Sequence, residues 1–168
     1  MKKVLVGLLA VLLAFSMASC ALFGSQKIYE KSAKTFSVDG MSITLTSGFT
    51  EAEFEGYVVC YDSSEVAIFV IEEEFSLIDG ASDWSIEDYA DLVRQANLDQ
   101  NPVVSEDEGL ITMKYNYYNA DEKTSYSYYS VMFKGPSAFW LVQFACEQNS
   151  FEEYKPHFIE WAKSVKFN

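Results

Sequence analysis

The residues best equipped for chemistry in this chain are a single histidine, three cysteines and several runs of carboxylates. His157 stands between Pro156 and Phe158, at the start of what reads as the last helix, and no second histidine completes a metal-ligand spacing. A Ser-His-Asp or Cys-His arrangement needs partners that converge, and no spacing here nominates them. His157 is therefore expected at the surface or at a helix cap, and no catalytic residue is assigned. The acids gather at Glu72-Glu73-Glu74, Glu106-Asp107-Glu108, Asp121-Glu122 and Glu152-Glu153. Paired carboxylates do acid and base work when their surroundings push their pKa values apart, but neighbours in a strand point to opposite faces. Solvated surface is the expectation. Asp79-Gly80 with Asp83 echoes a calcium loop without its Asp-x-Asp-x-Asp-Gly spacing, so no metal ligand is assigned. Neither Gly-x-Gly-x-x-Gly nor Gly-x-x-x-x-Gly-Lys occurs, and no cofactor is expected.

Cys20 is different because of what precedes it. Lys2 and Lys3 form a cationic start, an apolar run follows from Val4 to Phe15, and small residues lead to the cysteine. That is the layout of a secretory signal. The run is about a dozen residues, and a spanning helix needs about 20. Met17-Ala18-Ser19-Cys20 resembles the lipobox of bacterial lipoprotein signals, with Met17 in place of the more usual leucine. The resemblance implies a signal peptide over 1–19, a diacylglyceryl group on Cys20, and a mature protein held on the extracytoplasmic face of the cell membrane. Two or three acyl chains anchor stably where one does not.

Loss of residues 1–19 removes Lys2, Lys3 and no acid, which takes the formal charge from −13 to −15. Such a surface opposes nucleic acid and anionic head groups. It serves solubility, and it leaves open a cationic ligand. Cys60 and Cys146 then remain, both in expected strands. In an exported protein they are either a disulfide or two buried thiols, because sequence cannot bring Cα atoms within the roughly 4.4–6.8 Å a bridge needs.

The elements that must position these groups follow from periodicity. Residues 20–34 are mixed and polar and read as a tether of at most about 50 Å; residues 35–168 read as one globular domain. Met41, Ile43 and Leu45 alternate with Ser42, Thr44 and Thr46, the period of a half-buried strand. Ser47-Gly48-Phe49 turns the chain, with Gly48 supplying backbone freedom. Strands are expected over 57–61 and 66–75, joined as a hairpin. Ser85 with Asp88 makes a capping box before a helix to about Leu98, ended by Asn101-Pro102. Ile111 to Tyr117 and Tyr129 to Phe133 alternate as a hairpin around a polar turn at 119–123. Phe139 to Cys146 is apolar on both parities apart from Gln143, which places that strand centrally. Ser150 with Glu153 suggests a second capping box; Pro156 suggests that regular helix begins near it after a preliminary turn.

This order describes an α+β fold, an antiparallel sheet of about six to seven strands packed with two main helices. The chain resembles the PsbP-like domains, whose fold is shared with the Mog family of Ran-binding proteins and recurs in bacterial lipoproteins. The carrying residues are Met41-Ser42-Ile43-Thr44-Leu45, Ser47-Gly48-Phe49, the helix after the first hairpin, the tyrosine-rich hairpin and the closing Ser164-Val165-Lys166-Phe167. The resemblance implies an α/β/α sandwich and a binding or assembly role; photosynthetic and Ran-binding functions are not carried over.

One candidate surface emerges from the tyrosines. If Tyr115, Tyr117, Tyr129 and Phe133 face the core, then Tyr118, Tyr126 and Tyr128 lie on the other face with Met132, either under a helix or as an exposed interaction surface. The expected function is accordingly a non-enzymatic interaction module held to the membrane through Cys20, with an envelope protein as partner. Binding of a small ligand or of a cation such as calcium is the alternative.

Overall fold

A computed structural model describes residues 26–168; the signal segment and Cys20 lie outside the described residues. The architecture is organised by β9 (Ala138–Glu147), which is apolar on both faces and therefore cannot sit at an edge. It is the fourth of seven strands in an antiparallel sheet ordered β3 (Thr50–Ala52), β4 (Val59–Asp62), β5 (Val66–Glu74), β9, β8 (Thr124–Lys134), β7 (Leu110–Asn119) and β6 (Val103–Asp107). A second, three-stranded sheet joins β1 (Ala33–Val38), β2 (Met41–Thr46) and β10 (Lys166–Phe167), with β2 in the middle. The main sheet has the expected strand number. The small sheet is additional, and it takes the Met41–Thr46 strand away from the others.

Each face of β9 needs its own cover. On one side α1 (Ile86–Ala96) buries Tyr89, Ala90 and Val93 against Met113, Met132, Phe139 and Leu141, with the Tyr89 ring stacked on Phe139 at 4.4 Å. The Ser85 hydroxyl accepts from the Asp88 N–H and the Asp88 carboxylate accepts from the Ser85 N–H, so the expected capping box forms. On the other side α2 (Phe151–Lys163) and the small sheet share the cover. Phe158 and Trp161 pack on Phe144, and Phe36 packs on Tyr61.

Two expectations about α2 are corrected. A tight turn over Gln148–Ser150 runs straight into the helix, so Ser150 already has helical dihedrals and its side chain caps nothing. Capping requires an extended Ncap residue. The helix is also regular from Phe151 onward and runs through Pro156, whose missing N–H forgoes one bond, to the carbonyl of Glu152. The closing Ser164-Val165-Lys166-Phe167 leaves the helix through a turn at Ser164 and ends as the strand Lys166–Phe167. The Ser164 hydroxyl accepts from the Thr44 N–H at 2.8 Å and steers Lys166–Phe167 into register with Ser42 and Met41.

The stretch expected to be free tether is largely part of the fold. Ile28 is 2% exposed, its N–H donates to Glu65, and its carbonyl accepts from Thr46. Lys27 lies 3.3 Å from Glu65 and 3.2 Å from Glu153. The Tyr29 hydroxyl donates to Glu153, and its ring stacks on His157 at 4.1 Å. His157 thus receives the N-terminal segment instead of capping the helix. Gly48 has a different reason from the one its turn suggested. Its φ is not positive; a Cβ there would run into Ile28 Cδ1 and stand 2.5 Å from Lys31 Cδ. Close approach of the docked segment requires the glycine. Gly48→Ala is expected to destabilise the domain by about 1–3 kcal/mol, read as a lowered Tm. An unchanged Tm would show that the segment does not pack there.

Candidate interaction site

Cross-strand register decides which tyrosines share a surface. Tyr115 pairs with Tyr128 and Tyr117 with Tyr126, and residues directly opposite in a sheet project to the same face. The expected grouping is therefore corrected. Tyr115, Tyr117, Tyr126, Tyr128 and Met132 lie together on the α1 side, whereas Tyr118 lies on the α2 side with Lys114 and Asn116. The Tyr115 and Tyr128 rings stack at 4.9 Å, and burial pushes the Tyr128 hydroxyl up to about 12. Tyr126 is buried, and its hydroxyl donates to Glu122 at 2.6 Å. Phe54 and Tyr57, from the loop before β4, close over this end of the face next to Cys60, Phe69 and Tyr128. Tyr126 and Tyr128 are thus packing residues. Tyr118 alone of the three is open, at 59% exposure.

The two thiols are likewise separated. Cys60 belongs to the cluster on the α1 side of the sheet and Cys146 to the core under α2, so the sheet lies between them and both are free. Burial, the larger cause, and nearby carboxylates push each thiol up to about 12. Of the two alternatives left open by the sequence, the structure holds the pair of buried, inert thiols.

Two further exposed apolar side chains belong to the elements flanking β7, and a third, Leu77, belongs to the turn after β5. Leu98 is 60% exposed in the turn after α1, and Val103, at the start of β6, is 63% exposed. Both stand near the outer side of β7. Between β6, β7 and the first turn of α2 lies a cleft of about 590 Å³, whose walls include Val103, Lys114, Asn116, Phe151, Glu152 and Lys155. Lys155 pairs with Asp107 at 3.1 Å, and the Tyr129 hydroxyl donates to the same carboxylate at 2.9 Å. Desolvation raises the Asp107 pKa, but these two donors outweigh it and hold the group below its ordinary value. Lys114 has no carboxylate within ion-pair reach among the described residues; its ammonium lies 3.6 Å from the centre of the Phe151 ring. Asn116 accepts from Ser127 at 2.7 Å, which leaves its amide nitrogen as a donor.

The edge of the sheet is open at the same place. β6 ends at Val103, opposite Lys114, and Asn101 turns away with φ 51°. Among the described residues, no strand pairs with β7 on that side from Tyr115 to Asn119. The Gly135 N–H donates to Ala138 O across the β8–β9 turn, so odd-numbered residues of β8 bond β9 and even-numbered ones bond β7. By the β7–β8 register, odd residues of β7 then bond β8, and Asn116 and Tyr118 turn their N–H and C=O groups outward. Sequence reasoning picked Tyr118 but missed Leu98, Val103 and Lys114. The Glu108-Gly109 turn, with φ 51° and 82°, was the available sign that a strand precedes β7.

Part of each of the last three acidic runs is tied to a side-chain partner. Asp107, Glu108, Glu122 and Glu153 partner Lys155, Lys163, Tyr126 and Lys27, respectively. Among the described residues, no three His, Cys, Asp or Glu side chains converge as a cation site.

No family model matches the chain, and no curated protein matches it. Solved structures do. The chain is similar to cyanobacterial PsbP (CyanoP) from Synechocystis sp. PCC 6803, whose solution structure aligns with a TM-score of 0.48 and 14% identity over 88% of this chain and 99% of that one. A protein from Bacteroides thetaiotaomicron aligns with the same TM-score and identity over 77% of this chain, which spans 45% of that protein's length.

Two outcomes follow from this geometry. Tyr128→Ser is expected to cost about 1–3 kcal/mol, as loss of a partly buried, stacked aromatic does, and Tyr118→Ser less than about 0.5 kcal/mol, both by denaturant melts. Equal losses would contradict the assignment of faces. In a Cys20→Ser chain, a thiol reagent at neutral pH is expected to titrate neither remaining cysteine when folded and both in guanidinium; one reactive thiol in the folded protein would contradict the burial.

Proposed function

We propose that this chain is a lipid-anchored module on the extracytoplasmic face of a cell membrane that holds an envelope partner and performs no chemistry on it. The observation that carries the reading is the half of β7 beyond Lys114 that β6 leaves uncovered, where Tyr118 is exposed and the adjoining cleft is walled in part by the exposed Val103. Single exposed apolar side chains are ordinary, whereas those beside unpaired main-chain groups favour association.

The anchor rests on the residues before Cys20. The docked segment sharpens what an anchor would do, because it begins at Lys27. Six residues separate it from Cys20, a reach of at most about 25 Å over seven Cα steps, half that of a tether running to residue 34. A domain so held stays beside the bilayer, and its acidic surface keeps it from lying flat on anionic lipid.

The cleft favours a second reading, binding of a small ligand. Lys114 would hold an anionic group there, beside a wall in which Lys155 is already paired with Asp107 and Glu152 adds a second carboxylate.

Fractionation joined to mild cross-linking tests the first reading. The wild-type protein is expected to pellet with membranes, to incorporate an alkyne-tagged fatty acid and to recover a specific partner. Cys20→Ser is expected to lose pellet and label, and the Val103→Ser/Tyr118→Ser double variant to lose the partner while keeping its Tm. Retention of the label in Cys20→Ser, or a partner indifferent to the double variant, would contradict it.

A further inference from the structure

We infer that the open edge of β7 is a strand-addition site, and that its occupant is an extended segment of a partner protein in which acidic and apolar residues alternate. The inference rests on the interaction-module reading and names the kind of partner.

The backbone supplies the register. Asn116 and Tyr118 offer two N–H and two C=O groups that an added strand would pair, over the five residues Tyr115–Asn119 that β6 leaves uncovered. Each such bond contributes modestly, and together they fix orientation. The two faces of the sheet then supply the alternation. Side chains of the added strand that fall on the α2 side enter the cleft beside Lys114 and the Asn116 amide, while Lys155 is already held by Asp107 and Glu152 stands at the α2 wall. Among the described residues Lys114 has a ring face but no paired carboxylate, and an incoming Asp or Glu would complete it. Side chains on the other face fall beside the Tyr115 and Tyr117 row, near Leu98, where apolar groups lose water.

A second copy of the chain fits this edge poorly. Its own β7 presents Lys114, Asn116 and Tyr118 on the cleft face, with no acid to meet Lys114. The charge of −13 further opposes self-association. That charge does not forbid an acidic partner segment, because beyond about 8 Å at physiological salt exposed charges are screened and Lys114 acts locally.

The test is a random octapeptide library displayed and panned on the purified full chain. Enriched peptides are expected to alternate acidic with apolar residues. Proline can occupy an edge strand where its missing N–H would have faced solvent. Asn116→Pro is thus expected to lower the Tm only as far as Asn116→Ala does, through the lost bond to Ser127, and to weaken the selected peptides about tenfold or more relative to Asn116→Ala, the loss of one bond and its strand contact. Because a proline variant can fail to fold, N-methylation of alternate residues of the selected peptide gives the same reading on the unaltered protein: one methylation register is expected to abolish binding and the other to spare it. Lys114→Gln is expected to remove the acidic preference while leaving the apolar one. No enrichment over a protein-free control, enrichment without alternation, or indifference to both N-methyl registers would overturn the inference. A wild-type dimer that Asn116→Pro converts to monomer would overturn it in favour of a second copy. A cellular partner retained by Asn116→Pro would sink this inference and leave the interaction-module reading standing.

Discussion

The rest of the structure depends on a strand that must be buried on both faces. With Phe139, Leu141 and Ala145 on one side of β9 and Trp140, Val142 and Phe144 on the other, water can be allowed on neither. Burying a side chain of this size contributes about 1.5–3 kcal/mol, so leaving either face open would forfeit several such terms. One helix and a turn-rich connection cover the first face. The second is too wide for α2 alone, and the three-stranded sheet completes it. The docking of Lys27 to Ser32 is the last part of this closure, since Ile28 joins the core that α2 and β2 share.

Once both faces are closed, the openings left in the domain are at its edges. One edge is short, β3 having three residues. The other is uneven, because the five-residue β6 covers half of the ten-residue β7. Unpaired edges are a liability that folds blunt with charge, proline, bulges or a covering loop. Here the uncovered half carries Asn116 and Tyr118, with Lys114, Leu98 and Val103 beside it. That placement connects the burial of β9 to the proposed role: filling the sheet on both sides leaves its main-chain edge as the surface with unused bonding capacity.

Strongly periodic elements were legible in the sequence. The parity of Ile111, Met113 and Tyr115, the two apolar faces of 139–146 and the Ser85/Asp88 capping box each have a local cause, and each reappears as β7, β9 and the start of α1. Elements whose cause is remote were not. β1 and β6 carry mostly exposed residues and no apolar alternation; their traces were the two-residue turns Asp39-Gly40 and Glu108-Gly109, where all four φ values are positive. Docking of Ile28 depends on Gly48 and Thr46, some twenty residues away in the chain. The candidate site was legible in one residue only. Tyr118 could be singled out, but its separation from Tyr126 and Tyr128 follows from a pairing register that links odd residues of β7 to even residues of β8, which periodicity within each strand does not determine.

Backbone amide exchange across β7 tests the central claim most directly, because it reads the edge without needing a partner. The account predicts alternation over the uncovered half: slow exchange at Tyr115, Tyr117 and Asn119, which bond β8, and fast exchange at Asn116 and Tyr118, which face outward. Uniform protection from Tyr115 to Asn119 in the monomer would contradict it, since that half of β7 would then be covered and offer no edge to bind.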